Sequence, residues 1–353
     1  KEGRTIAVLS DGLGSGIKAN VLATMTVSMS LNFTIANQPV ERTARTIYDT
    51  LPVDNERKIN YSTFTIADIE FDGETTIIEH GNPRALIFRN NEPLRINKRN
   101  TNDDISTSCF CAQKGDRIIS FSDGVSQSGM GRADMPFGWD RDDLIKFITY
   151  LLVKDNNISA QHLADLIVNR SLLNDSLKAK DDITCSVLFF RDPRNLIICT
   201  GPPYKKEKDT IMAKTVSSFE GTKVICGGTT AQIIGRELNK EIDIDIFSGD
   251  GELPPVSEIE GIDLVTEGIL TLGKVSDLLD NNLKEVKEKS PAGKIINMFL
   301  KNDKIVFLVG TRINEAHQDP SLPVELEIRR NVVKKIARLL EDKYMKEVHI
   351  QYI

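Results

Sequence analysis

The stretch VLSDGLGSGIKAN, residues 8 to 20, runs from an apolar strand into a long apolar pattern through a turn rich in glycine. The turn opens with the carboxylate of Asp11, and three glycines follow it within five residues. Asp and Gly are common turn formers, so this stretch taken alone indicates only a turn.

Two further stretches place acidic residues at the ends of predicted strands. IISFSDGVSQSG (118 to 129) ends an apolar strand at Asp123, and KAKDDITCSVLFF (178 to 190) puts Asp181 and Asp182 just before another strand. If these ends converge, like charges would force at least one carboxylate to take up a proton unless cations neutralise them. Hard oxygen ligands suit magnesium, manganese or calcium, so the pattern favours a cation site.

The glycines after Asp11 fit the same hypothesis. Gly12 is predicted to let a backbone carbonyl turn toward a metal, while Gly14 and Gly16 are predicted to allow a close backbone approach. No G-x-S-x-G elbow, no Cys with an Arg-rich phosphate cradle and no suitably placed His offers a nucleophile. Water is therefore the expected nucleophile.

Four motifs carry a resemblance to a known family. DGLGSG, EHGNPRALIF, SFSDGV and DDITCSVLFF occur in the order and approximate spacing of the bacterial metal-dependent protein phosphatases of the protein phosphatase 2C superfamily. The class resembled most is the stage II sporulation protein E phosphatases, over residues 1 to about 192. The resemblance implies a β-sandwich flanked by helices that hydrolyses phosphoserine or phosphothreonine with two Mn²⁺ or Mg²⁺ ions and a metal-bridged water.

The resemblance also implies a role for each matched position. Asp11 would bridge both metals, the Gly12 carbonyl would bind one, and Asp123 and Asp181 would hold the other. Asp182 falls where the family has Asp or Asn and would support this site from outside the ligand set. Related phosphatases act on small phosphorylated regulators, which makes a protein of the anti-sigma-factor-antagonist type the expected substrate.

One departure from the family keeps alternatives open. Family members begin one strand earlier, with an acidic residue that reaches the metal site through water, so the first strand of the domain is predicted to be missing here. A degenerate phosphatase that only binds a phosphoprotein is one alternative. An enzyme whose main activity lies in the C-terminal half is another.

The chain changes its pattern near residue 193. Its 353 residues exceed the usual size of one core and predict two domains. Residues 62 to 96 read as an antiparallel meander, whereas the chain after residue 193 repeats strand, glycine turn and helix. We therefore predict an α+β domain over 1–192 and an α/β domain with a mostly parallel sheet over 193–353.

Two helices are predicted before the meander, over 15 to 36 and 40 to 50. The first is apolar almost all round, with Val21, Met25 and Met29 on a face of their own. A helix with two apolar faces is expected to be covered on both sides. The second face predicts contact with a regulatory element or with another subunit in a homodimer.

Four glycine turns follow predicted strands in the C-terminal half, at 200–203, 227–231, 266–268 and 310–312. Ligands of open α/β sheets bind at the carboxyl ends of strands, and helix starts favour anions. The turns therefore predict a site for an anionic metabolite or nucleotide, although simple tight turns would give the same pattern. The predicted contact residues are Gly227, Gly228, Thr229 and Thr230, with Thr311 and Arg312 from a neighbouring turn.

Composition excludes several other classes. A net charge of −6 gives no reason to expect nucleic acid or an anionic membrane as a partner. No apolar run approaches the roughly 20 residues of a spanning helix, and no signal peptide is visible, so a cytoplasmic protein is expected. Five cysteines, mostly in apolar strand-like runs, predict reduced buried thiols.

Overall fold

The structure is a computed structural model. It describes residues 3–12, 14, 16–52, 62–100, 105–244, 256–283, 286–312 and 322–353. The chain divides into two compact units, Lys1–Asp192 and Pro193–Ile353, and each is described by itself.

The first unit contains two antiparallel sheets. A five-stranded sheet has the order β1-β2-β3-β7-β6, and a four-stranded sheet has the order β5-β4-β8-β9. The strands are β1 (Thr5–Gly12), β2 (Ser62–Ile69), β3 (Glu74–His80), β4 (Leu86–Arg89), β5 (Glu92–Pro93), β6 (Lys98–Asn100), β7 (Ile105–Cys111), β8 (Arg117–Phe121) and β9 (Cys185–Phe189).

Helices cover the outer faces of both sheets. Because side chains alternate along a strand, Ala67 and Ile77 face the core between the sheets while their neighbours Ile66 and Ile78 face the helices. This arrangement confirms the predicted β-sandwich flanked by helices. The helices are α1 (Ile17–Ile35) and α2 (Val40–Thr50) on the five-stranded sheet, the short α3 (Asp123–Ser126), and α4 (Arg141–Lys154) and α5 (Ala160–Asn174) on the four-stranded sheet.

The predicted meander is only partly correct. β2 and β3 form an antiparallel hairpin, but the next partner of β3 is β7. β4 and β5 belong to the other sheet. Residues 81–85 therefore carry the chain from one sheet to the other, which a local pattern of strands and turns does not reveal.

The side of α1 that packs on the sandwich is built from small residues. Thr26, Ser30 and Thr34 are fully buried, and each hydroxyl donates to the carbonyl oxygen four residues earlier at 2.7–2.8 Å. These bonds satisfy the hydroxyls inside the helix itself. The helix can thus bury polar side chains against β1 and β2 without leaving them unpaired.

The other side of α1 carries large apolar residues that the first unit leaves exposed. Ile17, Val21 and Met25 are 85%, 47% and 49% exposed. Met29, predicted to share their face, instead packs against the core between α2 and the five-stranded sheet. Residue 15, where the predicted helix starts, lies outside the described residues.

The second unit is a seven-stranded, mostly parallel sheet with helices on both faces, as predicted. Its order is β12-β13-β14-β11-β10-β15-β16, and the five strands from β14 to β16 run parallel. The strands are β10 (Asn195–Thr200), β11 (Thr222–Cys226), β12 (Asp243–Ile244), β13 (Ser257–Ile259), β14 (Ile262–Thr266), β15 (Lys304–Val309) and β16 (Glu347–Tyr352). The helices are α6 (Asp209–Ser218) and α7 (Gly228–Leu238) on one face, and α8 (Ile269–Asp280), α9 (Pro291–Lys301) and α10 (Leu322–Tyr344) on the other.

Cysteine burial differs in part from the expectation. Cys199 and Cys226 are buried and free, but Cys109 and Cys111 are exposed and free. Both of these alternate with Phe110, which packs on the core between the sheets, so their side chains point away from that core. Within the described part of the chain, no helix has the length and hydropathy needed to cross a membrane.

Candidate active site

Asp11 lies at the carboxyl end of β1, an edge strand of the five-stranded sheet. Its partner on β2 is Thr63, and Gly12 pairs with Ser62. The side-chain hydroxyls of Ser62 and Thr63 lie 3.1 and 3.3 Å from the carbonyl oxygen of Asp11. The neighbouring strand therefore fixes the backbone that carries this carboxylate.

Gly12 is required because α1 begins directly against it. A Cβ atom on Gly12 would overlap the backbone of Ala19, in the first turn of that helix. Gly14 and Gly16 have no described atom within 4 Å of their Cβ positions, so close packing does not explain them. The φ angles of Gly14 and Gly16, +84° and +96°, explain why glycine stands at these positions, since this backbone region strongly favours glycine. The close approach predicted for Gly14 and Gly16 belongs instead to Gly12.

Asp123 follows β8 and opens the short helix α3. Its carboxylate accepts a hydrogen bond of 2.9 Å from Gln127 Nε2. Gly124 has the same function as Gly12, because a Cβ atom there would overlap the carbonyl of Asp182. Both Asp-Gly pairs thus allow a second segment of backbone to touch the chain beside a carboxylate.

Ser122 anchors the segment that carries Asp181 and Asp182 to the end of β8 through two hydrogen bonds. Its buried hydroxyl donates to the carbonyl of Asp182 at 2.9 Å and accepts from the amide of Thr184 at 3.0 Å. The Asp182 amide in turn donates to Asp181 Oδ1 at 2.9 Å. Sequence reasoning missed Ser122, although its position between a buried strand and Asp123 was a usable signal.

Electrostatics shows that the carboxylates share one region. The pKa of Asp11 is raised to about 6, first by burial and then by the charges of Asp123, Asp181 and Asp182, in that order. Burial and the charge of Asp181 also raise the pKa of Asp123. The three strand ends singled out in the sequence therefore place their acidic residues within electrostatic range of one another.

Comparison with known proteins agrees with this arrangement. The family described as stage II sporulation protein E (SpoIIE) matches residues 1–191, more than half of the chain. The chain belongs to the SpoIIE family. Its first unit is accordingly a phosphatase domain of the PP2C type. No curated protein matches the chain.

Solved structures similar to the chain include two that hold parts of more than one domain. One is the PP2C phosphatase domain with a regulatory fragment of SpoIIE from Bacillus subtilis, at 20% identity and TM-score 0.43, covering 53% of this chain and 54% of that one. The other holds the RsbU and RsbW domains of a protein from Mycobacterium tuberculosis, at 14% identity and TM-score 0.46, covering 61% and 59%. The chain thus spans about half the length of the first of these structures.

A third similar structure is the Mn-presoaked phosphatase domain of SpoIIE from B. subtilis, at 16% identity and TM-score 0.34, covering 54% of this chain and 88% of that one. By its own chemistry, the donor set Asp11, Asp123 and Asp181 of the present SpoIIE-family chain fits a divalent cation. Carboxylate oxygens are the preferred ligands of hard divalent cations, and a cation would offset the charges of Asp123 and Asp181, which add to burial in raising the pKa of Asp11.

The described residues hold no group of three His, Cys, Asp or Glu side chains gathered closely enough to bind one ion together. Asp11, Asp123 and Asp181 therefore lie within electrostatic range of one another, but their side chains do not surround a single ion position. Mg²⁺ is commonly bound through one or two carboxylates with several waters, so a cage of three is not required. The assignment of these residues as metal ligands stays a prediction.

In the second unit, the residues predicted to bind an anion fall into two groups. Gly227 precedes α7 at the end of β11, whereas Thr311 and Arg312 follow β15. β10 lies between β11 and β15, so the two turns are not neighbours. Two strand spacings, about 9.5 Å, separate them. The site stays a prediction, but its residues do not form one compact cluster.

Local contacts distinguish these turns further. The Gly310 backbone packs directly on the turn after β10, and the Arg312 amide donates to the Pro202 carbonyl at 3.1 Å. At the start of α8, the Glu267 carboxylate accepts from the amides of Leu270 and Thr271 at 3.2 and 3.4 Å. That helix start already holds a negative charge, which disfavours an anion there.

Proposed function

We propose that the chain is a metal-dependent serine/threonine protein phosphatase that hydrolyses phosphoserine or phosphothreonine on a regulatory protein, one of the anti-sigma-factor-antagonist type. The observation that carries the proposal is that acidic residues from separate segments come together: the Asp182 carbonyl packs on Gly124, and the charges of Asp123 and Asp181 both act on the half-buried Asp11. Membership of the SpoIIE family supports the same reaction class.

The proposed site would hold two Mn²⁺ or Mg²⁺ ions. Asp11 would contact both, the Gly12 carbonyl would contact one, and Asp123 and Asp181 would hold the other. When bound, such ions lower the pKa of water and offset negative charge on a phosphoryl group. The carboxylates are therefore assigned to holding cations rather than to moving protons.

Residues next to the acidic site hold its carboxylates in position. Gln127 orients the Asp123 carboxylate, and Ser122 holds the Asp182 backbone against Gly124. These contacts limit how far the acidic residues can move apart when no cation offsets their repulsion. Pre-set ligand geometry of this kind matters because a misplacement of about 1 Å can cost about 100-fold in rate.

Hydrolysis of a phosphoserine peptide by the full chain, with MnCl₂ and then with EDTA, tests the proposal. We expect turnover only with the metal, and a fall of at least about 100-fold, or about 2.7 kcal/mol in activation free energy, in Asp11→Asn and Asp123→Asn. Asp165→Asn, at an exposed position on α5, is the matched control. Full activity in either active-site variant contradicts the assignment.

The substrate can be sought with the same Asp11→Asn variant. A phosphoprotein that accumulates in cells carrying this variant, and not in cells carrying Asp165→Asn, is the expected substrate. Binding of that phosphoprotein without turnover by the unaltered chain would instead favour a phosphoprotein-binding module.

A further inference from the structure

A groove of about 570 Å³ opens in the first unit between the end of β3, the β4–β5 hairpin and the start of α4. Three arginines line it against only two acidic residues. We call it the arginine groove, after its basic residues Arg84, Arg95 and Arg141. The acidic residues of its lining are Glu79 and Asp142.

A short series of contacts leads from the acidic site toward the arginine groove. Thr63 Oγ1 lies 3.3 Å from the carbonyl oxygen of Asp11 and 2.5 Å from Asn82 Oδ1. Arg84 follows Asn82 by two residues, which corresponds to about 7 Å of extended chain. A substrate segment that leaves the acidic site along this loop would therefore meet Arg84 within a few residues.

Two hydrogen bonds from Arg141 hold the loop that carries Arg84. Its guanidinium donates to the carbonyl oxygens of Arg84 and Ala85, at 2.8 and 3.3 Å. Glu79 accepts from the Ala85 amide at 2.6 Å, which anchors the loop from the other side. Arg141 is therefore a positioning residue, and the loop is fixed before any ligand arrives.

Arg84 and Arg141 also influence each other electrically. Burial lowers the pKa of Arg141, the charge of Glu79 opposes that shift, and the charge of Arg84 adds to it. The two guanidinium groups thus lie within electrostatic range. Like charges held close together, one on this fixed loop and one at the start of α4, make a favourable place for an anion.

Arg84 and Arg95 are both exposed, and within the described residues neither side chain makes a hydrogen bond or an ion pair. Of the two acidic residues, Glu79 is buried and already accepts the Ala85 amide. The accessible charge of the groove is therefore mainly positive, although the whole chain carries −6. A guanidinium pairs well with carboxylates because it donates two parallel hydrogen bonds.

We propose that the arginine groove binds an acidic segment of the protein substrate, next to its phosphorylated residue, through Arg84 and Arg95. This inference rests on the proposed phosphatase function of the neighbouring site. A nucleic acid fits the surface less well, because the basic residues form one short groove on a chain of negative net charge.

Fluorescence anisotropy with two labelled phosphoserine peptides of equal length tests the proposal on the full chain in EDTA. One peptide has Asp and Glu around the phosphoserine, and the other has Asn and Gln. We expect the acidic peptide to bind about 10-fold more tightly at low salt, and this preference to shrink at about 0.3 M salt.

Replacing both exposed arginines, in the double variant Arg84→Gln and Arg95→Gln, should bring the two affinities together. Arg170→Gln, at an exposed arginine on α5 whose side chain likewise has no described partner, should keep the preference. Equal binding of the two peptides by the unaltered chain overturns the proposal. So does a preference that survives in the double variant.

A separate measurement distinguishes an error in the proposed role of the arginine groove from an error in the proposed phosphatase activity. Manganese-dependent hydrolysis of p-nitrophenyl phosphate uses a substrate that has no acidic segment, so it reports on the acidic site and does not depend on binding of such a segment in the groove. No turnover of this compound contradicts the proposed phosphatase, whereas the comparison of peptide affinities still decides the groove.

Discussion

The backbone carbonyl of Asp182 rests against Gly124, at the place where any other residue would carry its Cβ atom. This contact joins the segment after β8 to the segment before β9. It therefore sets the separation between Asp123 and Asp181, two of the carboxylates assigned to the metal site.

Gly124→Ala should lower activity while leaving the fold in place. The added methyl group must push the Asp182 segment away, and a shift of about 1 Å between catalytic groups can cost about 100-fold in rate. Manganese-dependent hydrolysis of a phosphoserine peptide measures the loss, and far-UV circular dichroism checks the fold.

Gly273→Ala is the control for this substitution. Gly273 lies within α8, and no described atom is within 4 Å of its Cβ position. Activity should not change, and stability should rise slightly, because Ala favours a helix over Gly by about 1 kcal/mol. A fully active Gly124→Ala variant would show that the contact does not matter for catalysis.

Asp11→Asn should stabilise the cation-free protein at neutral pH. The folded-state pKa of Asp11, about 6, is above its ordinary value near 3.9. The folded protein thus binds more protons than the unfolded chain between these values, and its stability falls as pH rises from about 4 to 6. Asn carries no charge and escapes this loss.

Thermal melts in EDTA at pH 4 and pH 7.5 measure this effect. Asp11 is only half-buried and water screens it, so we expect about 1 kcal/mol, or about 2–4 °C, at pH 7.5 and almost none at pH 4. With MnCl₂ the order should reverse, because only the unaltered chain keeps all its ligands. An Asn variant that is less stable in EDTA at both pH values argues against carboxylate repulsion.

Met25→Glu and Met29→Glu should have different effects although both lie on α1. Met25 is half-exposed, so a charge there should alter thermal stability little while it changes activity or oligomeric state. Met29 packs on the core, so a charge there should cost several kcal/mol. Melting curves, light scattering and peptide hydrolysis separate the two, and equal destabilisation by both would indicate simple burial of Met25.

Ligands of different length test whether the two separated turns of the second unit bind one anion together. Inorganic phosphate is too small to touch both Gly228 and Arg312 across β10, whereas a nucleotide is long enough. We expect ADP or ATP, but not phosphate, to raise the melting temperature of the full chain in an Arg312-dependent way. No shift with any nucleotide, or one that Arg312→Ala leaves unchanged, would make these turns scaffold only.

Strand ends were the part of the structure that the sequence predicted well. Asp11 and Asp123 each follow an apolar run that leads into an Asp-Gly pair, and the structure ends β1 and begins α3 at these pairs. The antiparallel sheets of the first unit and the mostly parallel sheet of the second could also be predicted. Strands that alternate with short turns indicate antiparallel pairing, whereas strands that alternate with helices indicate parallel pairing.

Strand order could not be predicted in the same way. Nothing near Gly227 or Arg312 in the sequence indicates that β10 separates their strands, since that depends on the direction of each helical crossover. The buried side of α1 could be predicted only in part. Ser30 and Thr34 are polar, so an apolar pattern does not indicate their burial, yet their hydroxyls bond within the helix and lie inside.

The central position of β10 also affects how the second unit can fold. β10 is the first strand of this unit to be synthesised, but its partner β15 follows 109 residues later, with Asn195 opposite Lys304. At about 5–20 residues per second, a ribosome needs roughly 5–20 s to make that stretch. Throughout this interval one edge of β10 has no neighbour, and α10, which helps to cover the apolar Leu196 and Ile198 on the sheet face, is still missing. Chaperone binding should therefore be strongest for nascent chains that stop before residue 304.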